Sequence, residues 1–188
     1  MHYKRLQNNV ILQKQKSMKT NKILSTAIVA IAFFTGIRSF AQNVVELAVS
    51  SPDHTTLVAA VKAGNLVETL SGAGPFTIFA PTNAAFANLP KGTVETLLEP
   101  ANIKTLQGIL TYHVVAGKID SKAVVAAITA GKGKAILKTV QGGTLTASLK
   151  GKNVIVTDEK GGIATITAVD LNASNGVIHV LDTVLMHK

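Results

Sequence analysis

The stretch Phe76-Thr77-Ile78-Phe79-Ala80-Pro81-Thr82-Asn83-Ala84-Ala85-Phe86-Ala87-Asn88-Leu89-Pro90 decides how this chain is read. Its first five residues read as an apolar strand, and Pro81, which has no amide hydrogen, ends the sheet pairing. Thr82 and Asn83 follow with short polar side chains of the kind that accept hydrogen bonds from the free amides of a first helical turn. Phe86 and Leu89 then supply the apolar face of that helix. Strand, corner and helix are thus specified within fifteen residues.

Upstream of this corner, Val44 to Val49 and Leu57 to Val61 carry apolar residues at helical spacing, with Ser51-Pro52-Asp53 as cap and first turn and Gly64 as the stop. Leu66, Val67 and Leu70 continue into a third helix that Ser71-Gly72-Ala73-Gly74-Pro75 ends. Downstream, Gly92-Thr93 starts a short helix. Pro100 opens the next, whose stripe is Ile103, Leu106, Ile109 and Leu110. Tyr112-His113-Val114-Val115 reads as a strand, and Ser121 to Ala130 as a helix capped by Ser121. From Lys134 the apolar period becomes two. Ala135–Val140, Thr144–Leu149, Asn153–Thr157, Ile163–Leu171 and Val177–Met186 are separated by the hairpin-type turns Gln141-Gly142-Gly143, Lys150-Gly151-Lys152, Glu159-Lys160-Gly161-Gly162 and Asn175-Gly176. The expected fold is α+β, a mostly helical first half followed by an antiparallel meander. The strand from Val177 is apolar on both faces and is expected at the centre of the sheet, with His179 and Asp182 as its polar exceptions.

The first residues dominate the charge. From Met18 the sequence has a positive start, the largely apolar run Ile23–Ile37, and Ser39-Phe40-Ala41 before Gln42, the pattern of a cleavable secretory signal with its cut after Ala41. The run is fifteen residues, shorter than the roughly 20 of a membrane-spanning helix. Residues 1–17 are polar, and Met18 makes the better start of a signal, so they read as an upstream start-site artefact. Residues 1–41 hold seven of the 19 Lys and Arg and no acid, leaving 12 bases against 10 acids in residues 42–188, which form one expected domain. Net charge falls from +9 to +2, which removes the basic footprint of a nucleic-acid binder. No cysteine is present, so an exported product must be disulfide-free. A secreted protein is expected, periplasmic, extracellular or surface-associated, with no stable membrane span after cleavage.

Three segments resemble the fasciclin-type (FAS1) domain in order and approximate spacing: Thr77 to Phe86, Leu110 to Val115, and Asn175 to Leu185. The resemblance implies a β-wedge of about seven antiparallel strands with short helices packed around it. It also implies a non-catalytic adhesion module that binds protein or glycan partners on a cell surface or extracellular matrix. In animal relatives the tyrosine-histidine stretch and an Asp-Ile pair before the last motif are tied to integrin recognition, and the matching positions here are Tyr112-His113 and Asp170-Leu171. Leu171 departs from the isoleucine of that pair, and Leu185-Met186-His187-Lys188 departs from a Leu-Pro ending. The candidate recognition residues are therefore Thr82, Asn83, Tyr112, His113, Asp170 and Leu171. Phe79, Pro81, Phe86, Asn175, Gly176, His179 and Asp182 are expected to be structural, with Phe79, Phe86 and Leu89 packed beside Val180 and Leu181.

No cofactor is expected. His54, His113, His179 and His187 are scattered, without the tight spacing of a metal site. Gly142-Gly143 and Gly161-Gly162 do not precede helices and are read as turns, not phosphate loops. Two alternatives to adhesion stand beside it. One is a self-associating structural component of a matrix. The other is a Ser/His-type hydrolase using His113 or His179 with Asp170 or Asp182, although no Gly-x-Ser-x-Gly elbow is present.

Overall fold

The computed structural model describes residues 42–188, so the expected signal, its cut after Ala41 and the status of residues 1–17 lie outside the described residues. Helices α1 (Val44–Val49), α2 (Thr55–Ala63) and α3 (Val67–Ser71) lead into β1 (Phe76–Pro81). The corner helix α4 (Asn83–Ala87), α5 (Thr93–Leu98) and α6 (Ile103–Tyr112) precede β2 (Val114–Ala116). Helix α7 (Ser121–Ala130) is followed by β3 (Lys134–Lys138), β4 (Thr144–Lys150), β5 (Asn153–Thr157), β6 (Ile163–Ala173) and β7 (Gly176–Leu181).

The seven strands form one sheet in the order β2-β1-β7-β6-β5-β4-β3. Strands β3 to β7 are the expected antiparallel meander, but β7 then runs parallel to β1, with Phe79 opposite His179 and Pro81 opposite Leu181. A helix-rich connection separates β1 from β7 in sequence, so the sheet joins a late hairpin to an early strand without a tight turn. Beyond β3, Thr139 bridges Val115 of β2 and Val140 donates to the Val114 carbonyl, so the two ends of the strand order meet.

Strand β7 is buried along its whole length, as its two apolar faces required. One face joins Leu181 with Phe79, Tyr112, Leu137, Leu145 and Val156 in the interior of the closed sheet, where Val124 and Ile128 of α7 form the lid. On the other face Ile178 meets Ile78, Val44, Leu57, Leu70 and Leu110 under the helical layer. Phe79 packs with Leu181 as expected, whereas Phe86 and Leu89 pack against Ala85, Ile109 and Val184 in a separate cluster.

Three local expectations are corrected. Tyr112 is the last residue of α6 and His113 its C-cap, so the strand begins only at Val114. The apolar stripe of α6 simply runs on through Tyr112, and periodicity cannot separate a buried helix end from a short buried strand. The N-cap of α7 is Asp120, whose carboxylate accepts the Ala123 amide, while Ser121 is its first residue. Strand β7 stops at Leu181, and Val184 and Leu185 are buried beyond it without strand pairing.

Candidate functional site

The corner is built on two caps, one local and one not. Thr82 caps α4 by accepting the Ala85 amide at 3.2 Å. Asn83 serves a different helix: its Oδ1 accepts the Thr56 amide at 2.9 Å and the Thr55 hydroxyl at 3.2 Å, and its Nδ2 donates to the Pro52 carbonyl at 2.9 Å. It thereby caps α2 from outside, a non-local partner that local sequence cannot disclose.

Tyr112 and His113 sit inside the molecule, 0 % and 3 % exposed. The Tyr112 hydroxyl donates to the Thr144 carbonyl at 2.8 Å and accepts the Glu159 amide at 3.1 Å, tying α6 to two turns of the meander. His113 Nδ1 donates to the Ile109 carbonyl at 2.8 Å, and Nε2 accepts the Leu185 amide at 3.0 Å. That pair of partners fixes the neutral tautomer, and burial lowers the His113 pKa to about 4 against the opposing pull of the Ile109 carbonyl and the Asp158 carboxylate. Burial likewise raises the Tyr112 pKa.

Asp170 and His179 do come together, at an irregularity in β6 where Asp170 takes φ +59° and the pairing with β7 shifts register. The Asp170 carboxylate accepts the Ser121 amide at 2.7 Å and the Ser121 hydroxyl, and these bonds, the hydroxyl first, hold its pKa below the usual carboxylate value. The Asp170 amide faces His179 Nδ1 at 3.4 Å, and His179 Nε2 donates to the Ile119 carbonyl at 2.9 Å. A serine, a histidine and an aspartate therefore adjoin in the wrong order for acyl transfer. A nucleophile needs its histidine between serine and carboxylate, whereas here the aspartate holds the serine and the histidine proton is committed to a backbone carbonyl. This arrangement latches the start of α7 to the bulged strand. Asp182 Oδ1 accepts the Thr165 amide at 2.7 Å and the Thr183 hydroxyl at 3.0 Å. Leu171 is 38 % exposed and pairs with Ile178 of β7.

Asn175 is a hub. Its Oδ1 accepts the Val44 amide at 2.9 Å, and its Nδ2 donates to the carbonyls of Leu70 at 2.8 Å and Gly72 at 2.9 Å, pinning α1 and α3 to the β6–β7 turn. Gly176 lies so close to β1 that a Cβ there would stand 2.2 Å from the Phe76 carbonyl oxygen.

What the candidate positions leave free is the outer face of the meander. Ile136, Thr146, Thr157 and Ile163 form one cross-strand row over β3 to β6, and Lys134, Ser148, Ile155 and Thr165 form the next. Ile136 is 75 % and Ile163 51 % exposed, the side chains between them are partly exposed, and the only charge in these rows is at the β3 edge. Ile136 and Ile163 are apolar like their buried neighbours Leu137 and Ala164, so the facing of these strands and the alignment into rows come from the register. Among the described residues no group of His, Cys, Asp and Glu could hold a metal ion, and no helix is long and apolar enough to cross a membrane.

A family model described as "Fasciclin domain" matches residues 52–187. Among curated proteins the chain is similar to Protein sll1483 of Synechocystis sp., 49 % identical over 78 % of this chain and 74 % of that one. It is 35 % identical to immunogenic protein MPB70 of Mycobacterium bovis, over 80 % of this chain and 72 % of the relative. It is also 41 % identical to transforming growth factor-beta-induced protein ig-h3 of Sus scrofa, over 69 % of this chain but 17 % of that protein. Among solved structures, a FAS1 domain pair from the insect cell adhesion molecule Fasciclin I matches with a TM-score of 0.60 at 19 % identity. That match covers 78 % of this chain and about half, 51 %, of the other.

Proposed function

Because the chain belongs to the fasciclin-domain family, we propose that it is an exported, non-catalytic adhesion module whose contact surface is the outer face of β3 to β6. The observation that carries this is the pair of rows on that face. An array of Ile, Thr and Ser side chains, with Lys134 at its β3 edge as the one charge, offers apolar contact together with hydroxyl donors and acceptors. Removing Ile136 and Ile163 from water supplies favourable burial at little desolvation cost, since no ion must be stripped of its hydration inside the patch. A glycan or a protein on a cell surface or matrix has the complementary mix of hydroxyls and apolar faces. The adhesive setting of relatives supports this: one solved neighbour is a cell adhesion molecule, and Tyr112 and Asn175 here are engaged in internal bonds, leaving recognition to the surface.

Of the residues first considered for recognition, Thr82, Asn83, Asp170 and Leu171 are partly exposed but three of them are engaged in internal bonds. They position elements around the sheet. The experiment is retention of the full chain on a panel of polysaccharides, matrix proteins and whole cells, alongside ester and glycoside hydrolysis assays and light scattering against concentration. Retention without turnover is expected. Turnover that vanishes in His179→Ala, or concentration-dependent self-association with no retention, would replace adhesion by hydrolysis or by a structural role.

A further inference from the structure

Beneath α1 the helical layer does not close fully on the sheet. A chamber of about 160 Å3 lies between Val44 and Ala48 of α1, Leu57 and Val61 of α2, and Ile78 of β1. An apolar cavity of about 150 Å3 stays dry and takes up a benzene-sized molecule. The chamber's lining is aliphatic apart from Phe79, His113 and Lys62, and it includes Val49, which is 53 % exposed.

A second recess of about 200 Å3 adjoins it, sharing Ala48, Ala80 and Ile178 as a common wall. Ala48 and Ala80 are the small residues at that junction, so little side-chain bulk stands between the two spaces. The recess differs in character, because Ser50, Ser51 and His54 line it together with Leu171. His54 is 5 % exposed, and its Nε2 has no hydrogen-bond partner. Ser51 Oγ occupies the other ring nitrogen at 2.8 Å. Burial lowers the His54 pKa against the opposing pull of the Asp53 carboxylate and then of the Ala80 carbonyl. The Ser51–Nδ1 contact sets the tautomer: when the hydroxyl donates, the ring proton sits on Nε2, which has no partner in hydrogen-bonding geometry. A buried polar group left this way is normally matched by a partner.

We propose that the chamber and recess together bind a single-chain amphiphile: its alkyl chain fills the chamber and an uncharged oxygen, hydroxyl or ester carbonyl, accepts the His54 Nε2 proton. The apolar lining selects the chain, one convergent polar group fixes its direction, and no Lys or Arg lines the recess to select an anion. This site lies under the helical layer and is independent of the outer sheet face. It gives Leu171 a role as part of the recess wall.

The test is methyl NMR of the full chain titrated with 1-decanol. Saturable shifts are expected at Val44, Ala48 and Ile178. Ala48→Phe, which fills the junction, is expected to abolish them; if that variant does not fold, Ala48→Leu is expected to weaken binding in its place. His54→Phe keeps the apolar shape and removes the donor, with an expected loss of roughly ten-fold in affinity. Shifts confined to Ile136 and Ile163, no shifts, or equal binding by the folded Ala48 variant would overturn the site. Unchanged affinity in His54→Phe would overturn the part assigned to His54.

Discussion

His113 makes stability depend on pH in a way that can be worked out. Its ring is buried between α6 and the C-terminal segment, with Nδ1–H given to Ile109 and Nε2 taking the Leu185 amide. Protonating Nε2 removes that acceptor and places a charge in the core. In the folded chain the pKa is about 4, against 6.5 for the unreacted side chain. A depressed folded pKa means that the unfolded state binds the proton first as pH falls. The stabilisation is therefore complete above 6.5, declines through the window from 6.5 to about 4, and is gone below it. At about 1.36 kcal/mol per pH unit that interval amounts to roughly 3 kcal/mol. His113→Gln, which does not titrate but can still donate and accept, isolates this contribution. Urea unfolding of both proteins from pH 7.5 to 4, followed by circular dichroism, should show the native chain more stable at neutral pH. The gap should narrow by roughly 3 kcal/mol at the acid end. His54, also shifted downward by burial, titrates in both proteins and cancels in the difference. Parallel curves across the whole range would refute the assignment of a buried neutral His113.

Other substitutions probe the joints. Gly176→Ala forces a Cβ to 2.2 Å from the Phe76 carbonyl oxygen, backbone against backbone, so β1 and β7 must separate. Loss of the cooperative thermal transition, or a fall of more than about 3 kcal/mol in unfolding free energy, is expected. Asn175→Ala strands the Val44 amide and the Leu70 carbonyl, and a loss of about 2–3 kcal/mol in chemical denaturation should be accompanied by faster hydrogen exchange in α1. Tyr112→Phe leaves the Glu159 amide and Thr144 carbonyl facing a ring edge, with an expected cost of about 1–2 kcal/mol in the same assay.

The sheet was largely legible because alternation, turn glycines and the doubly apolar Val177–Leu181 segment leave few alternatives. The corner at Phe76–Pro90 was legible in part, because Thr82 caps the helix that follows it as its type and position suggest. What stayed hidden depends on partners far along the chain. Asn83 has the right chemistry for a cap but caps α2, 27 residues upstream, rather than its own helix. Tyr112 reads equally as strand or helix end until the Thr144 and Glu159 turns fold onto its hydroxyl. The parallel pairing of β1 with β7 leaves no turn signature, since α4 to α7 and β2 to β6 intervene. His54 looked like one scattered histidine among several. Only its burial against an unfilled recess distinguishes it.

The adhesive claim rests on the outer face of the meander, and two lysines there test it most directly. Ile136→Lys with Ile163→Lys alters side chains that are 75 % and 51 % exposed, so fold and thermal midpoint should stay within a degree or two of the native chain, about ±0.5 kcal/mol. Retention of the full chain on whole cells or matrix polysaccharide should then fall at least ten-fold in the double variant. Undiminished retention by a folded double variant would contradict the assignment of this face.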